Sequence, residues 1–257
     1  MVEDFGCQHR GACGLRFHVV DCTGGGKLSK TLLEQANKLN PKAETVSMMA
    51  LSMDKVNVPE VKRMLNHLTP DTLVVIPPAK PSGPAFMSVL REAVRQTEMV
   101  SGRIVLVSSY EAIGDASNRS EATIPFASDE YGDALYAAEV LVQTNTGRGY
   151  IMRFPHFTDS PFVKEAVDIA TKVTFIDGLK DVEFTLCDNE DVARLILAQV
   201  QTGWFGLYHV TPNDRLLLSK VSGHDTGDKR VPDHSLSSKY TWKMKSSQEL
   251  WKRAINS

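Results

Sequence analysis

The stretch from Arg103 to Val140 constrains the fold more than any other part of the chain. It opens with an apolar run at Ile104–Val107, the pattern of a strand that is buried on both faces. The run ends on the hydroxyl pair Ser108 and Ser109, and a polar loop then leads to a helical pattern that opens at Tyr131. A buried strand, a loop and a helix form the repeating unit of α/β proteins, so we expect a parallel sheet covered by helices.

The same unit recurs along the chain and predicts a doubly wound, Rossmann-type parallel sheet with a small C-terminal lobe. We expect a lead-in segment over residues 1–14, a main domain over 15–155, and a lobe over 156–257 with elements that return to the main domain. The other predicted strands are Leu15–Val20, Glu44–Met49, Asp71–Ile76, Gly149–Pro155, Lys172–Phe175 and Gly206–Thr211. The predicted helices are Leu28–Leu39, Pro59–His67, Met87–Glu98, Val163–Ala170, one entered within 184–193, Leu216–Val221 and 246–255.

The composition is that of an ordinary soluble globular protein, with 42% hydrophobic and 23% charged residues among 257. A net charge of −2 gives no electrostatic reason to expect nucleic acid or an anionic membrane as a partner. No apolar run approaches the roughly 20 residues that a membrane span needs. The N-terminal segment, with Glu3 and Asp4, resembles neither a secretory nor a transit peptide.

Four cysteines, at positions 7, 13, 22 and 187, are too few and too scattered for a disulfide framework. Reduced thiols are therefore expected, in the cytoplasm or in an organellar matrix. The spacing of Cys7, His9 and Cys13 lacks the paired cysteines of a zinc site, and we predict no metal there.

A glycine-rich turn follows the first predicted strand and leads into a helix. Free backbone N–H groups at such a turn favour an anion, as in a dinucleotide pyrophosphate site. The candidate ligands are Thr23, Gly24, Gly26, Lys27 and Ser29, with Lys27 able to add a positive charge. A glycine-rich turn that holds no cofactor explains the same residues, and both interpretations stay open.

Seryl hydroxyls and a tyrosyl phenol are expected to meet at the carboxyl end of the sheet, where ligands of parallel sheets bind. This combination is typical of carbonyl reduction. The sequence here resembles the active-site segment of extended short-chain dehydrogenases/reductases. The residues that carry the resemblance are Val107-Ser108-Ser109-Tyr110, Tyr131-Gly132 and Glu139. They are most similar to the dTDP-4-dehydrorhamnose reductase and NAD-dependent epimerase branch, which includes the regulatory subunit of methionine adenosyltransferase.

This resemblance implies a function for each candidate residue. Tyr131 would donate a proton, and Ser108 or Ser109 would polarise the carbonyl group of a nucleotide-sugar substrate. The turn from Thr23 to Ser29 would hold NAD or NADP, and Asp54 lies in a segment similar to the one that follows the family's second strand. The choice between NAD and NADP stays open because the second strand lacks the acidic or arginine residue that reads the ribose.

The chain departs from the family pattern at three places on the cofactor side. Leu135 stands where the family has the lysine that holds the ribose and lowers the tyrosine pKa. The family's Gly-x-x-Gly-x-x-Gly keeps only Gly26, and Pro77-Pro78 replaces small residues after the third strand. We therefore predict a non-catalytic regulatory or structural subunit, with dinucleotide binding kept or lost. The alternatives are an NAD(P)-dependent reductase or epimerase, and an enzyme with changed chemistry.

The resemblance also bears on partners and on the second half of the chain. Family members often pair through the helices around Tyr131 and Met87, which implies a homo-oligomer or a protein partner. Arg153 is interpreted either as a contact to an anionic substrate or as a structural hydrogen-bond donor. His209 is structural in the family, and His156 and Cys187 stay open as functional residues.

Overall fold

The computed structural model of the chain describes residues 16–39, 45–78, 84–114, 120–125, 129–171, 182–223, 233–234 and 238–256. Strands and helices alternate through the main domain. The strands are β1 Arg16–Asp21, β2 Thr45–Ala50, β3 Thr72–Ile76, β4 Arg103–Ser109, β5 Gly149–Phe154, β6 His156–Phe157, β7 Glu183–Phe184, β8 Leu186–Cys187, β9 Gly206–His209, β10 Leu216–Leu217 and β11 Asp233–His234. The helices are α1 Lys27–Leu39, α2 Val58–Asn66, α3 Pro84–Met99, α4 Glu130–Asn145, α5 Pro161–Thr171, α6 Asn189–Thr202, α7 Leu218–Ser222 and α8 Ser247–Ile255, with 3₁₀ turns at Met53–Lys55 and Tyr110–Ala112.

Six parallel strands form the central sheet in the order β2-β1-β3-β4-β5-β9. The predicted doubly wound α/β sheet is therefore confirmed. The direction of winding reverses between β1 and β3, because the chain first adds β2 on one side of β1 and then β3 on the other. Such a switch point opens a crevice at the carboxyl ends of the strands, where ligands of these folds bind.

The two faces of the sheet carry separate hydrophobic cores. Phe17 and Val19 of β1 pack on the face covered by α1 and α6, whereas Val20 packs on the face covered by α2, α3 and α4. Both faces are buried in β3, whose five residues are all buried. This explains why its sequence is a continuous apolar run rather than an alternating one.

The C-terminal lobe has a third core, in which Phe184, Leu216 and Trp251 are buried. Helix α8 is N-capped by Ser246, whose side chain accepts a hydrogen bond from the backbone N–H of Glu249. From the C-terminal part of the chain, β9 returns to the main sheet beside β5. The predicted division at residue 155 stays a prediction.

Most predicted elements lie within a few residues of the observed ones. The predicted helix at Leu216–Val221 is wrong over its first two residues, which belong to a strand. Leu216 and Leu217 pair antiparallel with β7, so the helix begins only at Leu218. The predicted strand at Lys172–Phe175 and the lead-in segment over 1–14 lie outside the described residues. None of the described helices is long and apolar enough to cross a membrane.

Candidate functional site

The carboxylate of Asp21, at the end of β1, occupies the inside of the glycine-rich turn. It is fully buried and accepts hydrogen bonds from the backbone N–H of Thr23 at 2.8 Å and of Gly26 at 2.7 Å. It also accepts from the hydroxyls of Thr23 at 2.6 Å and Ser29 at 2.5 Å. Gly24 supplies the positive φ of 89° that the turn needs. The turn is therefore closed around a negative charge of its own chain.

The predicted phosphate ligands of this turn are thus already engaged. Thr23 and Ser29 direct their hydroxyls at Asp21, and the N–H of Gly26, beside the N-terminus of α1, is shared between Asp21 and the Thr23 hydroxyl. Gly24 and Lys27 are free of this arrangement, and the side chain of Lys27 is exposed. Because a buried carboxylate repels another anion, the residues of the turn do not fit a pyrophosphate.

The rest of the crevice edge adds few donors. Asp54 is exposed in the 3₁₀ turn after β2, two residues beyond Ser52, which bridges to Thr23. Pro77 and Pro78 are both buried directly after β3, and neither has a backbone N–H to offer a ligand.

Ser108 belongs to a buried polar network rather than to the crevice. Its hydroxyl donates to Glu139 at 2.5 Å, and Arg153 donates to both oxygens of Glu139, at 2.8 and 2.5 Å. The remaining Nη1 of Arg153 lies 3.2 Å from Nε2 of His209. All four side chains are at most 2% exposed. Of the two interpretations of Arg153, a substrate contact or a structural hydrogen-bond donor, the contacts favour the structural donor. Of the two serines, only Ser109 remains at the end of β4 as a candidate to contact a ligand.

Ser109, Glu111 and Tyr131 come together where β4 ends and α4 begins. The hydroxyl of Ser109 donates to the Glu111 carboxylate in the 3₁₀ turn that follows the strand. Burial raises the pKa of the Tyr131 phenol well above its usual value, and the nearby charges of Glu111 and Asp129 raise it further. Tyr131 is thus protonated at neutral pH, and its surroundings are negative.

Leu135 lies one helical turn after Tyr131 on α4 and is 2% exposed. The first turn of this helix is fixed by Asp129, whose side chain accepts a hydrogen bond from the N–H of Gly132 at 2.8 Å. A lysine one turn after a tyrosine would lower the phenol pKa, whereas here burial and two carboxylates raise it. The phenol is therefore less acidic here than it would be with a lysine in the place of Leu135.

The other candidate side chains are engaged in packing. His156 stacks on Phe162 with ring centroids 4.0 Å apart and lies 4.6 Å from the ring of Tyr110. Cys22 and Cys187 are free, buried thiols. Burial raises the pKa of Cys22 to about 12 and that of Cys187 well above its usual value, so neither is a reactive thiolate.

No metal-ligand cluster occurs in the part of the chain that the structure describes: no group of three His, Cys, Asp or Glu side chains there could hold an ion. The spaced residues Cys7, His9 and Cys13 lie outside that part.

Two side chains of the candidate site were missed by sequence reasoning. A signal existed for Asp21, because an acidic residue that precedes threonine and glycines often accepts their backbone N–H groups. Glu111 gave no such signal. Its closeness to Tyr131 depends on how the turn after β4 packs against α4.

Solved structures share this fold across nearly the whole chain. A dTDP-4-dehydrorhamnose reductase from Bacillus anthracis, in complex with NADP, superposes with a TM-score of 0.71 at 16% identity, covering 96% of this chain and 99% of that one. The Bordetella bronchiseptica enzyme WbmG, in complex with NAD, gives 0.72 at 12% identity, covering 96% and 95%. The Helicobacter pylori ADP-L-glycero-D-manno-heptose-6-epimerase gives 0.67 at 13% identity, covering 94% and 96%.

The expected resemblance to these reductases and epimerases is thereby confirmed at the level of the fold. No protein-family model and no curated protein matches the sequence.

Proposed function

We propose that this protein is a non-catalytic member of the reductase and epimerase fold, acting as a regulatory or structural subunit. The observation that carries the proposal is the buried Asp21 carboxylate, which takes the hydrogen-bond donors of the turn where a pyrophosphate would bind. Leu135 and the raised pKa of Tyr131 support it, because both remove the activation of the phenol.

An NAD(P)-dependent reductase or epimerase of a nucleotide sugar is the second candidate. The fold shared with enzymes solved with NADP and NAD favours it. So does the position of Ser109 and Tyr131, since two hydroxyls at the carboxyl end of the sheet could hydrogen bond and protonate a carbonyl oxygen.

Calorimetric titration with NADPH and NADH, repeated as thermal-shift scans, separates the two candidates. We expect no saturable heat and no rise in melting temperature up to about 1 mM of either nucleotide, since ligand binding to the folded state raises stability by RT ln(1 + [L]/Kd). Micromolar binding would show that the turn accepts a dinucleotide, which a regulatory subunit could also do, so activity then decides between the two candidates. NADPH oxidation with dTDP-4-dehydrorhamnose, lost in Tyr131→Phe, would then establish the reductase.

A subunit needs a surface for its partner, and α4 offers one. Tyr136 and Val140, one turn apart on α4, are 39% and 37% exposed and so form an apolar strip on one face of the helix. We expect light scattering after size-exclusion chromatography to give a mass above the 28.4 kDa monomer. Tyr136→Glu should reduce that mass, and Leu39→Glu, at an exposed site at the end of α1, should not. A monomeric parent would instead require a different protein as the partner.

A further inference from the structure

A second cleft lies away from the crevice, between the edge of the central sheet and α2. Its volume is about 360 Å³, within the range of small-molecule pockets, which is roughly 300–1,000 Å³. It is lined by strand residues that include His18, Ser47 and Met49 and by helix residues that include Met64 and His67. The described lining residues include no Asp, Glu, Lys or Arg, so the cleft suits a neutral ligand.

The most buried polar side chain lining this cleft is the imidazole of His18, which is 5% exposed. Its Nδ1 lies 2.6 Å from the Ser47 hydroxyl, in the adjacent strand β2. No described residue hydrogen bonds to its Nε2, although the side chain lines the cleft. A buried imidazole with one nitrogen held and the other open is fixed in position and still has a hydrogen bond to make.

The protonation of His18 follows from its surroundings. Burial lowers its pKa and the nearby charge of Arg16 lowers it further, while the charge of Asp71 raises it by less, so the ring is neutral at pH 7. The Ser47 hydroxyl has no other acceptor among the described residues, so we assign its proton to Nδ1 and the ring proton to Nε2. Nε2 then presents an N–H donor to the cleft.

The walls add a preference for flat rings. Met49 is partly buried against the sheet, and Met64, which is 44% exposed, lies across from it on α2. Thioethers make favourable contacts with aromatic rings and adapt to irregular shapes.

We propose that this cleft binds a neutral, aromatic small molecule whose carbonyl oxygen or ring nitrogen accepts a hydrogen bond from Nε2 of His18. The site is separate from the crevice at the carboxyl ends of the strands, because His67 and Leu68 line it where the chain returns to the amino end of β3. It requires no nucleotide, and it stands whether or not the protein binds a dinucleotide.

The test uses coumarin, a neutral bicyclic ring with a carbonyl group, and naphthalene, a ring pair of similar size without one. The full chain is labelled with ¹³C at its methionine methyl groups and titrated with each compound. We expect saturable shifts at Met49 and Met64 and none at Met99, which is 67% exposed on α3. No saturable shift at Met49 and Met64, or equal shifts at Met99, would overturn the proposal.

Variants test the hydrogen bond itself. His18→Phe should weaken coumarin binding by about threefold to tenfold, the value of one neutral hydrogen bond, and leave naphthalene binding unchanged. Ser47→Ala releases the ring without removing it and should weaken coumarin in the same direction. If both variants bind coumarin as tightly as the parent, His18 is not the donor and the proposal fails.

Discussion

Replacing Asp21 by asparagine separates the two interpretations of the glycine-rich turn. The asparagine oxygen can keep the two hydrogen bonds from Thr23, but its amide group then faces the N–H of Gly26 and the hydroxyl of Ser29. The hydroxyl can rotate to accept, whereas the backbone N–H cannot. One buried donor loses its acceptor, which costs about 1–3 kcal/mol. The Thr23 hydroxyl, 3.2 Å from the Gly26 nitrogen, can accept part of this hydrogen bond, so we expect a cost near the lower end of that range.

The same substitution removes a negative charge from the turn. At an effective dielectric constant of about 20, a phosphate about 5 Å from a carboxylate is repelled by about 3 kcal/mol, or about a hundredfold in Kd. We therefore expect Asp21→Asn to be less stable in urea and to bind NADPH more tightly than the parent. General damage to the fold would weaken NADPH binding, so it could not explain a variant that is less stable and yet binds NADPH more tightly.

Asp54→Asn is the matched control, because Asp54 is an acid near the same crevice that is exposed to solvent. Solvent and salt screen its charge, so Asp54→Asn should, like the parent, show no saturable NADPH binding up to about 1 mM. Calorimetry measures binding, and urea denaturation measures stability. If folded Asp21→Asn binds NADPH no better than the parent, the carboxylate does not block the turn and the reasoning is wrong.

Three further substitutions test the site. Glu139→Gln leaves the buried guanidinium of Arg153 without its anion and should lower the free energy of unfolding in urea by about 3–5 kcal/mol. The control Glu98→Gln, at an exposed site, should stay within about 0.5 kcal/mol of the parent. A loss below about 1 kcal/mol in Glu139→Gln would contradict the buried pair. The pKa of the Tyr131 phenol is raised on folding, so the stability that this group contributes is complete below about pH 10 and is lost as the pH rises further. Above pH 10 the free energy of unfolding of Tyr131→Phe should therefore fall less steeply than that of the parent, by about 1.4 kcal/mol per pH unit. Parallel curves would refute this. Leu135→Lys buries an amine and should destabilise the protein without gaining NADPH oxidation with dTDP-4-dehydrorhamnose; turnover in this variant would indicate recent loss from an enzyme.

The sheet could be predicted from the sequence because parallel strands buried on both faces have continuous apolar runs. The runs at Thr72–Ile76 and Ile104–Val107 are of this kind. Helix α2 could be predicted for a different reason: Asn57 caps it, and proline lies in its first turn. These signals are local, and local signals can be read one segment at a time.

The site depends on contacts between segments, and these could not be predicted. Glu111 and Tyr131 are separated by twenty positions and approach each other only because the turn after β4 packs on α4. Ser108 and Ser109 are adjacent and look alike in the sequence. The alternation of side chains along β4 sends the first to Glu139 and leaves the second at the edge with Glu111.

The charges of the site divide into two groups, and the division bears on function. The buried pair of Glu139 and Arg153 is neutral overall and ties α4 to β5, so it serves the fold whether or not a ligand binds. The carboxylates of Asp21, Glu111 and Asp129 instead collect at the carboxyl ends of β1 and β4 and at the start of α4. A crevice that binds an anionic dinucleotide gains affinity from positive potential, and each of these acids opposes it. One charge pair therefore holds the elements together, and the carboxylate of Asp21 places a negative charge where a phosphate of the dinucleotide would lie, which supports the proposal of a protein that uses the fold without the cofactor.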